Sequence, residues 1–186
     1  MIAGLYPIFE HWHSKGTVWI ISDPHFADTE QQNLEPNRPS DEQLVKNING
    51  KVGKCDTLII LGDCGDLSFV KLLKGYKILI AGNHDQGLTA HREVFNEVYS
   101  GPLFISEKLL LSHEPIDLPF AFNIHGHDHS GWNKGGNKFN CCANVINYEP
   151  INFNQWMKQG HLAHIETIHR ATIDKATERK RKKGKK

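Results

Sequence analysis

The chain has 186 residues, with 22 basic and 21 acidic side chains, 39% hydrophobic residues and 23% charged ones. That balance predicts one domain with a packed core and excludes wholesale disorder. Mean hydropathy is −0.47, and no apolar run approaches the ~20 residues of a membrane span, so no membrane association is expected.

At the start, Ile2-Ala3-Gly4-Leu5 is followed by Pro7, Glu10 and His11. The apolar stretch is too short for a signal h-region and no basic residue precedes it, so a cytoplasmic location is expected. Residues 1–16 carry no readable role. Thr17 to Ile21 reads as a buried strand, followed at once by Ser22-Asp23-Pro24-His25. The polar stretch 27–39 reads as a loop. Ser40 with Gln43 forms a capping box opening a helix whose Leu44, Val45 and Ile48 fit a 3.6 period. Thr57 to Leu61 is a second strand ending in Gly62-Asp63, and Leu67 to Lys74 a short helix closed by Gly75. Tyr76 to Ala81 is a third strand ending in Gly82-Asn83-His84-Asp85, and 88–99 reads as helical. This alternation predicts parallel β-α-β units.

The second half changes character. Leu103 to Ser106 and Leu109 to Ser112 flank Glu107-Lys108, a tight hairpin. Phe120 to Ile124 runs as a strand into His125-Gly126-His127-Asp128-His129, Phe139 to Asn147 is a further strand, and Phe153 to Lys158 begins a helix after Pro150. A parallel half joined to an antiparallel half predicts two sheets packed face to face with helices outside.

Cys55, Cys64, Cys141 and Cys142 form no Cys-x-x-Cys pair and no disulfide pattern, so they read as reduced thiols. Residues 174–186 hold eight basic and two acidic residues, leaving 14 basic and 19 acidic in the rest. Such a run repels itself and reads as a disordered tail behind a domain over 1–173. It either grips nucleic acid through phosphate contacts or serves solubility. His161, His164 and His169 have no acidic partners at their spacing and read as a solvated face.

The polar residues follow the strands. Asp23 and His25 come after the first, Asp63 and Asp66 after the second, and Asn83, His84 and Asp85 after the third. His113 follows the hairpin, and His127 and His129 the next strand. Ligands of open α/β sheets bind beyond the carboxyl ends of strands, so these loops should converge. Imidazole and oxygen donors without a thiolate suit Mn²⁺, Fe, Zn²⁺ or Ni²⁺.

In order the set reads D-x-H, G-D-x-x-D, G-N-H-D, S-H and G-H-x-H, and over residues 17–150 it resembles the calcineurin-like metallophosphoesterase family at every motif. The spacing, with Asn37-Arg38-Pro39 ahead of the first helix, is similar to the small stand-alone bacterial and phage members. The resemblance implies an α/β fold, a four-layer α/β/β/α sandwich of two mixed sheets flanked by helices. It also implies two divalent ions, Mn²⁺ foremost. Asp23, His25 and His129 would bind the first, Asn83, His113 and His127 the second, and Asp63 would bridge both. His84 would point at the leaving-group oxygen, with Asp85 orienting it. The implied reaction is phosphoester hydrolysis by a metal-bridging hydroxide. A phosphodiester of nucleotide or nucleic-acid type is the expected substrate; a phosphomonoesterase and a non-catalytic scaffold are the alternatives.

Other residues have double readings. Asp66 orients a ligand or caps the next helix. His125 lies behind the ligands or is structural. Arg38 clamps a substrate phosphate or is solvated. Pro24 within D-x-H suits an extended Asp23. No large insertion separates the motifs, so the site should be open. The sequence does not specify an oligomeric state.

Overall fold

The structure, a computed structural model, describes residues 4–14, 16–131 and 136–183. The first sheet contains β1 (Val18–Ile21), β2 (Thr57–Ile60), β3 (Tyr76–Ile80), β4 (Glu97–Tyr99) and β9 (Ile151–Asn152), in the order β4-β3-β2-β1-β9. Its first four strands are parallel, joined by crossovers carrying α1 (Thr29–Leu34), α2 (Asp41–Lys51), α3 (Leu67–Lys71) and α4 (Leu88–His91), while β9 runs antiparallel to β1. The second sheet is β5-β6-β7-β8, from Leu103–Ser106, Leu109–Leu111, Phe122–His125 and Lys138–Asn140. Here β5 and β6 form the expected antiparallel hairpin, and β6, β7 and β8 are parallel. Both sheets are mixed, as the family resemblance implies.

The period of two in the strands sorts the core. Val18 and Ile20 of β1, Ile59 of β2, and Ile78 and Ile80 of β3 face the second sheet's Leu109, Leu111, Phe122 and Ile124. Their neighbours Ile21, Leu58, Ile60 and Leu79 face outward, where Leu44, Val45 and Ile48 of α2 and Val70 of α3 cover them. A parallel sheet buried on both faces needs this near-continuous apolar run. The helix α5 (Phe153–Lys158) adds Phe153 and Trp156 to the core between the sheets.

Residues ahead of β1 have a structural role. A 3-10 helix over Pro7–His13 sends Phe9 and Trp12 into the inter-sheet core. Trp12 Nε1 donates to Glu97 at 3.1 Å, and Thr57 Oγ1 donates to the Trp12 carbonyl at 2.8 Å. Ile2, Ala3 and Lys15 lie outside the described residues.

Several elements differ from expectation. The polar stretch 27–39 contains α1, capped by Asp28, whose side chain accepts the Gln31 N–H. No residue of α1 is buried, so it has no apolar period to betray it. Within 88–99 only α4 is helical, and Glu97–Tyr99 pairs with β3 as a strand. The strand expected through Asn147 ends at Asn140, and Cys142 makes only an isolated bridge to Ser22. Ser40 caps α2 by accepting the Gln43 N–H at 3.2 Å, but the Gln43 side chain donates to Asn47 instead of closing the box. Residues 174–183, expected as disordered tail, belong to α6 (Ile168–Lys183). Lys, Arg, Glu and Ala are strong helix formers, and Arg170 pairs with Asp174 one turn on, at 3.2 Å. Residues 184–186 of that tail lie outside the described residues. No helix among the described residues is long and apolar enough to cross a membrane.

Candidate active site

The loops after β1, β2, β3, β6 and β7 converge at the carboxyl ends of the strands. Four of their polar residues adopt left-handed backbone: Asp23 (φ 54°), His25 (φ 42°), Asp63 (φ 50°) and His127 (φ 64°). Side chains rarely tolerate this region, and such strain persists only where surrounding contacts over-determine it. Those contacts are backbone ones. Asp23 N donates to Gly62 O, and His25 N donates to Asp63 O, both at 3.1 Å. The approach is so close that two motif glycines are obligatory: a Cβ on Gly82 would strike the Asp63 carboxylate, and one on Gly126 would strike Ser22 and Asp23.

Asp23 is buried, and its Oδ2 accepts the His127 N–H at 2.8 Å and the Cys142 thiol at 3.1 Å. Its Oδ1 has no hydrogen-bond partner among the described residues. That oxygen faces His129 Nε2 at 3.6 Å and His25 Nε2 at 3.8 Å. Asp63 Oδ1 accepts the His84 N–H at 2.9 Å, while Oδ2 lies 3.8 Å from His25 Nε2 and 3.3 Å from His113 Nε2. His113 Nε2 also lies 2.9 Å from Asn83 Oδ1 and 3.1 Å from His127 Nδ1.

The far nitrogens of three of these imidazoles are occupied. His25 Nδ1 is 2.9 Å from Asp28, His129 Nδ1 is 2.8 Å from Glu35, and His113 Nδ1 is 2.8 Å from the Leu61 carbonyl. Carboxylates and carbonyls only accept, so in neutral His25 and His113 Nδ1 holds the proton and Nε2 keeps its lone pair for the centre, whereas His129 Nδ1 also meets the Gln31 side-chain NH₂, a donor, at 2.9 Å. Carboxylate–histidine pairs of this kind orient metal-ligating imidazoles.

The charges press together. Burial pushes the Asp23 carboxyl up, but His129 and His113 outweigh it and hold it below the usual range. Asp63 is lowered in the same way, chiefly by His113 against burial. Burial pushes His113 down, yet Asp63 and Asp23 raise it to about 9, and Asp23 and Glu35 raise His129. Carboxylates that crowded favour a cation in their midst. The groups Asp23–His25–Asp63 and Asp63–His113–His127 each have donor atoms within 4.8 Å of one another. An unpartnered buried oxygen, preset tautomers and this donor set fit divalent cations of intermediate softness.

Other expected residues fall elsewhere. The His84 ring is exposed and beside His25, with ring centroids 5.7 Å apart. The Asp85 carboxylate, expected to orient that ring, accepts backbone N–H groups of Asp63, Gly82 and Cys64 at 2.7, 2.9 and 3.1 Å. Arg38, expected as a phosphate clamp or a solvated residue, is held inside the protein. Its guanidinium is buried against Asp41 at 2.8 Å and donates to the Pro24 and His25 carbonyls, so it braces the first loop. Asp66 caps α3 through the Ser68 N–H at 2.7 Å. His125 is buried with Nδ1 2.8 Å from the Gly126 carbonyl, and burial lowers its pKa. His161, expected on a solvated face, stacks on Trp156 with centroids 4.6 Å apart.

Sequence reading missed Asp28, Glu35 and Cys142. Asp28 follows His25 by three residues, a readable signal; Glu35 reaches His129 across 94 residues, which is not. Cys142 groups with Asp23 and His129, so a thiol does stand beside the oxygen and nitrogen donors.

The family model of calcineurin-like phosphoesterases matches residues 16–183. No curated protein matches the chain. Among solved structures, a protein of unknown function from Aquifex aeolicus, AQ665, is 28% identical with a TM-score of 0.64, covering 77% of this chain and 98% of its own. The nuclease MPE of Pseudomonas putida is 19% identical with a TM-score of 0.46, covering 62% of each chain. A match running through all five loops and both sheets goes well beyond any single motif. The chain belongs to the calcineurin-like phosphoesterase family and is a metal-dependent hydrolase of phosphoester bonds.

Proposed function

We propose that this chain is a dinuclear-metal phosphodiesterase acting on nucleotide or nucleic-acid substrates. One observation carries the dinuclear reading: a single oxygen, Asp63 Oδ2, stands between the His25 side and the His113 side of the donor cluster. Asp23, His25 and His129 would hold one ion, Asn83, His113 and His127 the other, and Asp63 both. When bound, such ions acidify a water and neutralise phosphoryl charge. The remaining work falls to the chain. Asp28 and the Leu61 carbonyl fix the tautomers of His25 and His113, Glu35 orients the His129 ring, and Asp63 anchors the main chain of His84. The exposed His84 ring would then stand ready to give a proton to the departing oxygen.

The basic α6 and the absence of any large insertion between the motifs support a diester with nucleic-acid character. Four free cysteines, three of them buried, suit a reducing compartment such as the cytoplasm. Mn²⁺ is the ion to test first, because imidazole mixed with carboxylate and amide oxygens lies between the preferences of Mg²⁺ and Zn²⁺.

The test is hydrolysis of an aryl phosphodiester and an aryl phosphomonoester by the full chain reconstituted with Mn²⁺. Faster diester turnover, with two ions per chain by elemental analysis, supports the reading. Faster monoester turnover makes the protein a phosphatase, full activity with one ion overturns the dinuclear assignment, and metal binding without turnover on either ester makes it a scaffold. Deleting residues 174–186 should leave aryl-ester turnover unchanged while weakening oligonucleotide binding and flattening its salt dependence.

A further inference from the structure

We infer that Asp85 is a positioning residue that fixes the Asp63 carboxylate, with Cys64 and His91 holding Asp85 in turn. This rests on the proposed role of Asp63 between two ions and assigns the device that keeps it there.

Asp85 is buried, and the hydrogen bonds of its carboxylate go to Asp63, Gly82 and Cys64. Oδ2 accepts the N–H of Asp63 at 2.7 Å and of Gly82 at 2.9 Å. Oδ1 accepts the N–H of Cys64 and its thiol, each at 3.1 Å, and lies 3.5 Å from His91 Nε2. One side chain therefore ties the loop after β2 to the loop after β3. The same short segment returns the grip, since the His84 N–H holds Asp63 Oδ1 at 2.9 Å. Residues 82–85 thus clasp Asp63 by its backbone on one side and its carboxylate on the other, leaving Oδ2 turned toward His25 and His113.

The clasp is needed because Asp63 has φ 50°, a conformation that side chains avoid unless tertiary contacts impose it. The fit is close, because any Cβ at Gly82 would strike both the carboxylate and the main-chain nitrogen of Asp63. Cys64 and His91 form a further layer. His91 is buried on α4 and stacks on Phe95 with ring centroids 6.4 Å apart, so it approaches Asp85 from a fixed base. Outer groups of this kind typically cost 10–100-fold in metal affinity when removed, at about that order.

An asparagine at position 85 keeps the shape but must turn its NH₂ toward one set of N–H donors, so one half of the clasp opens. Calorimetric titration of metal-free protein with Mn²⁺ tests this. Asp85→Asn should bind at least one ion about 10–100-fold more weakly while melting cooperatively. His84→Ala, which keeps the backbone N–H, should bind Mn²⁺ as the wild type does. Wild-type Mn²⁺ affinity in Asp85→Asn would overturn the inference. If Asp85→Asn does not fold, Cys64→Ala decides: it removes only the thiol contact and should weaken Mn²⁺ binding several-fold, and unchanged affinity overturns the inference. A wild-type chain that takes up no second ion would defeat the dinuclear reading itself, whatever the variants do.

Discussion

The main-chain N–H of His84 donates to Asp63 Oδ1 at 2.9 Å, while Oδ2 of the same carboxylate faces His113 Nε2 at 3.3 Å. The two oxygens therefore have different work, one anchoring a loop and the other facing the donor cluster. Asp63→Asn can keep the first contact through its carbonyl oxygen. Its NH₂ then points at imidazole nitrogens and offers protons where a cation needs lone pairs. Mn²⁺ affinity should fall by more than about 100-fold, beyond the usual cost of an outer-group change. Elemental analysis of the reconstituted variant checks this, and two tightly held ions would contradict it.

How much of this was legible beforehand depends on the range of the interaction. Asp23, His25, Asp63, Asn83, His113, His127 and His129 each follow a strand, and a period-2 apolar run marks a strand well. Their convergence was therefore readable from order alone. The helix α1 was not, because it buries nothing, and β4 was hidden because Glu97-Val98-Tyr99 is too short to show alternation. The misread roles share one cause. Arg38 and Asp85 are polar residues beside the motifs, and sequence supplies no sign that their partners are main-chain groups of other loops.

Arg38 gives a prediction of its own. Its side chain is only 3% exposed and pairs with Asp41, itself 10% exposed. Removing one partner of a buried pair strands the other charge. Arg38→Ala should therefore lower stability by about 3–5 kcal/mol in urea unfolding. A phosphate clamp would instead raise KM with stability untouched, and that outcome would reject the bracing role.

Thiol chemistry is expected to be selective. Burial pushes the Cys64, Cys141 and Cys142 thiols up, with Asp85 adding to the shift at Cys64 and Asp23 at the other two. Cys55 is exposed. Only thiolates react quickly, so a disulfide reagent should label one thiol per native chain and four after denaturation. Fast labelling that persists in Cys55→Ser would show that a second thiol opens to solvent.

Metal binding should depend on pH through His113, raised from 6.5 to about 9 when Asp63 and Asp23 outweigh burial. A raised histidine contributes stability that is fully present below 6.5 and is lost as pH rises through about 9. Asp23 and Asp63, lowered from 3.8, contribute stability that is present above 3.8 and is lost as pH falls through their depressed values. For these groups, then, the metal-free protein is best stabilised between 3.8 and 6.5. Metal has the opposite preference, because His113 must shed its proton to become a ligand. Mn²⁺ affinity should climb from pH 6.5 to about 9 with proton release, measurable by calorimetry in buffers of different ionisation enthalpy. Flat affinity over that range would mean that His113 is already neutral in the metal-free chain.

The last prediction concerns His84. Its backbone is locked to Asp63, yet its ring is exposed beside His25, while the carboxylate of its neighbour Asp85 is taken up by main-chain N–H groups. The side chain is therefore free to meet substrate, and truncating it leaves the clasp intact. Help from a general acid is worth about 10²–10⁴ in rate, and most where the leaving group is poor. His84→Ala should keep Mn²⁺ affinity and KM, and lose kcat far more on an alkyl phosphodiester than on a nitrophenyl one, whose phenolate departs without a proton. Equal losses on the two esters would remove the proton-donor role and leave His84 as a stabiliser of phosphoryl charge. A lost metal ion would show instead that the ring itself is a ligand.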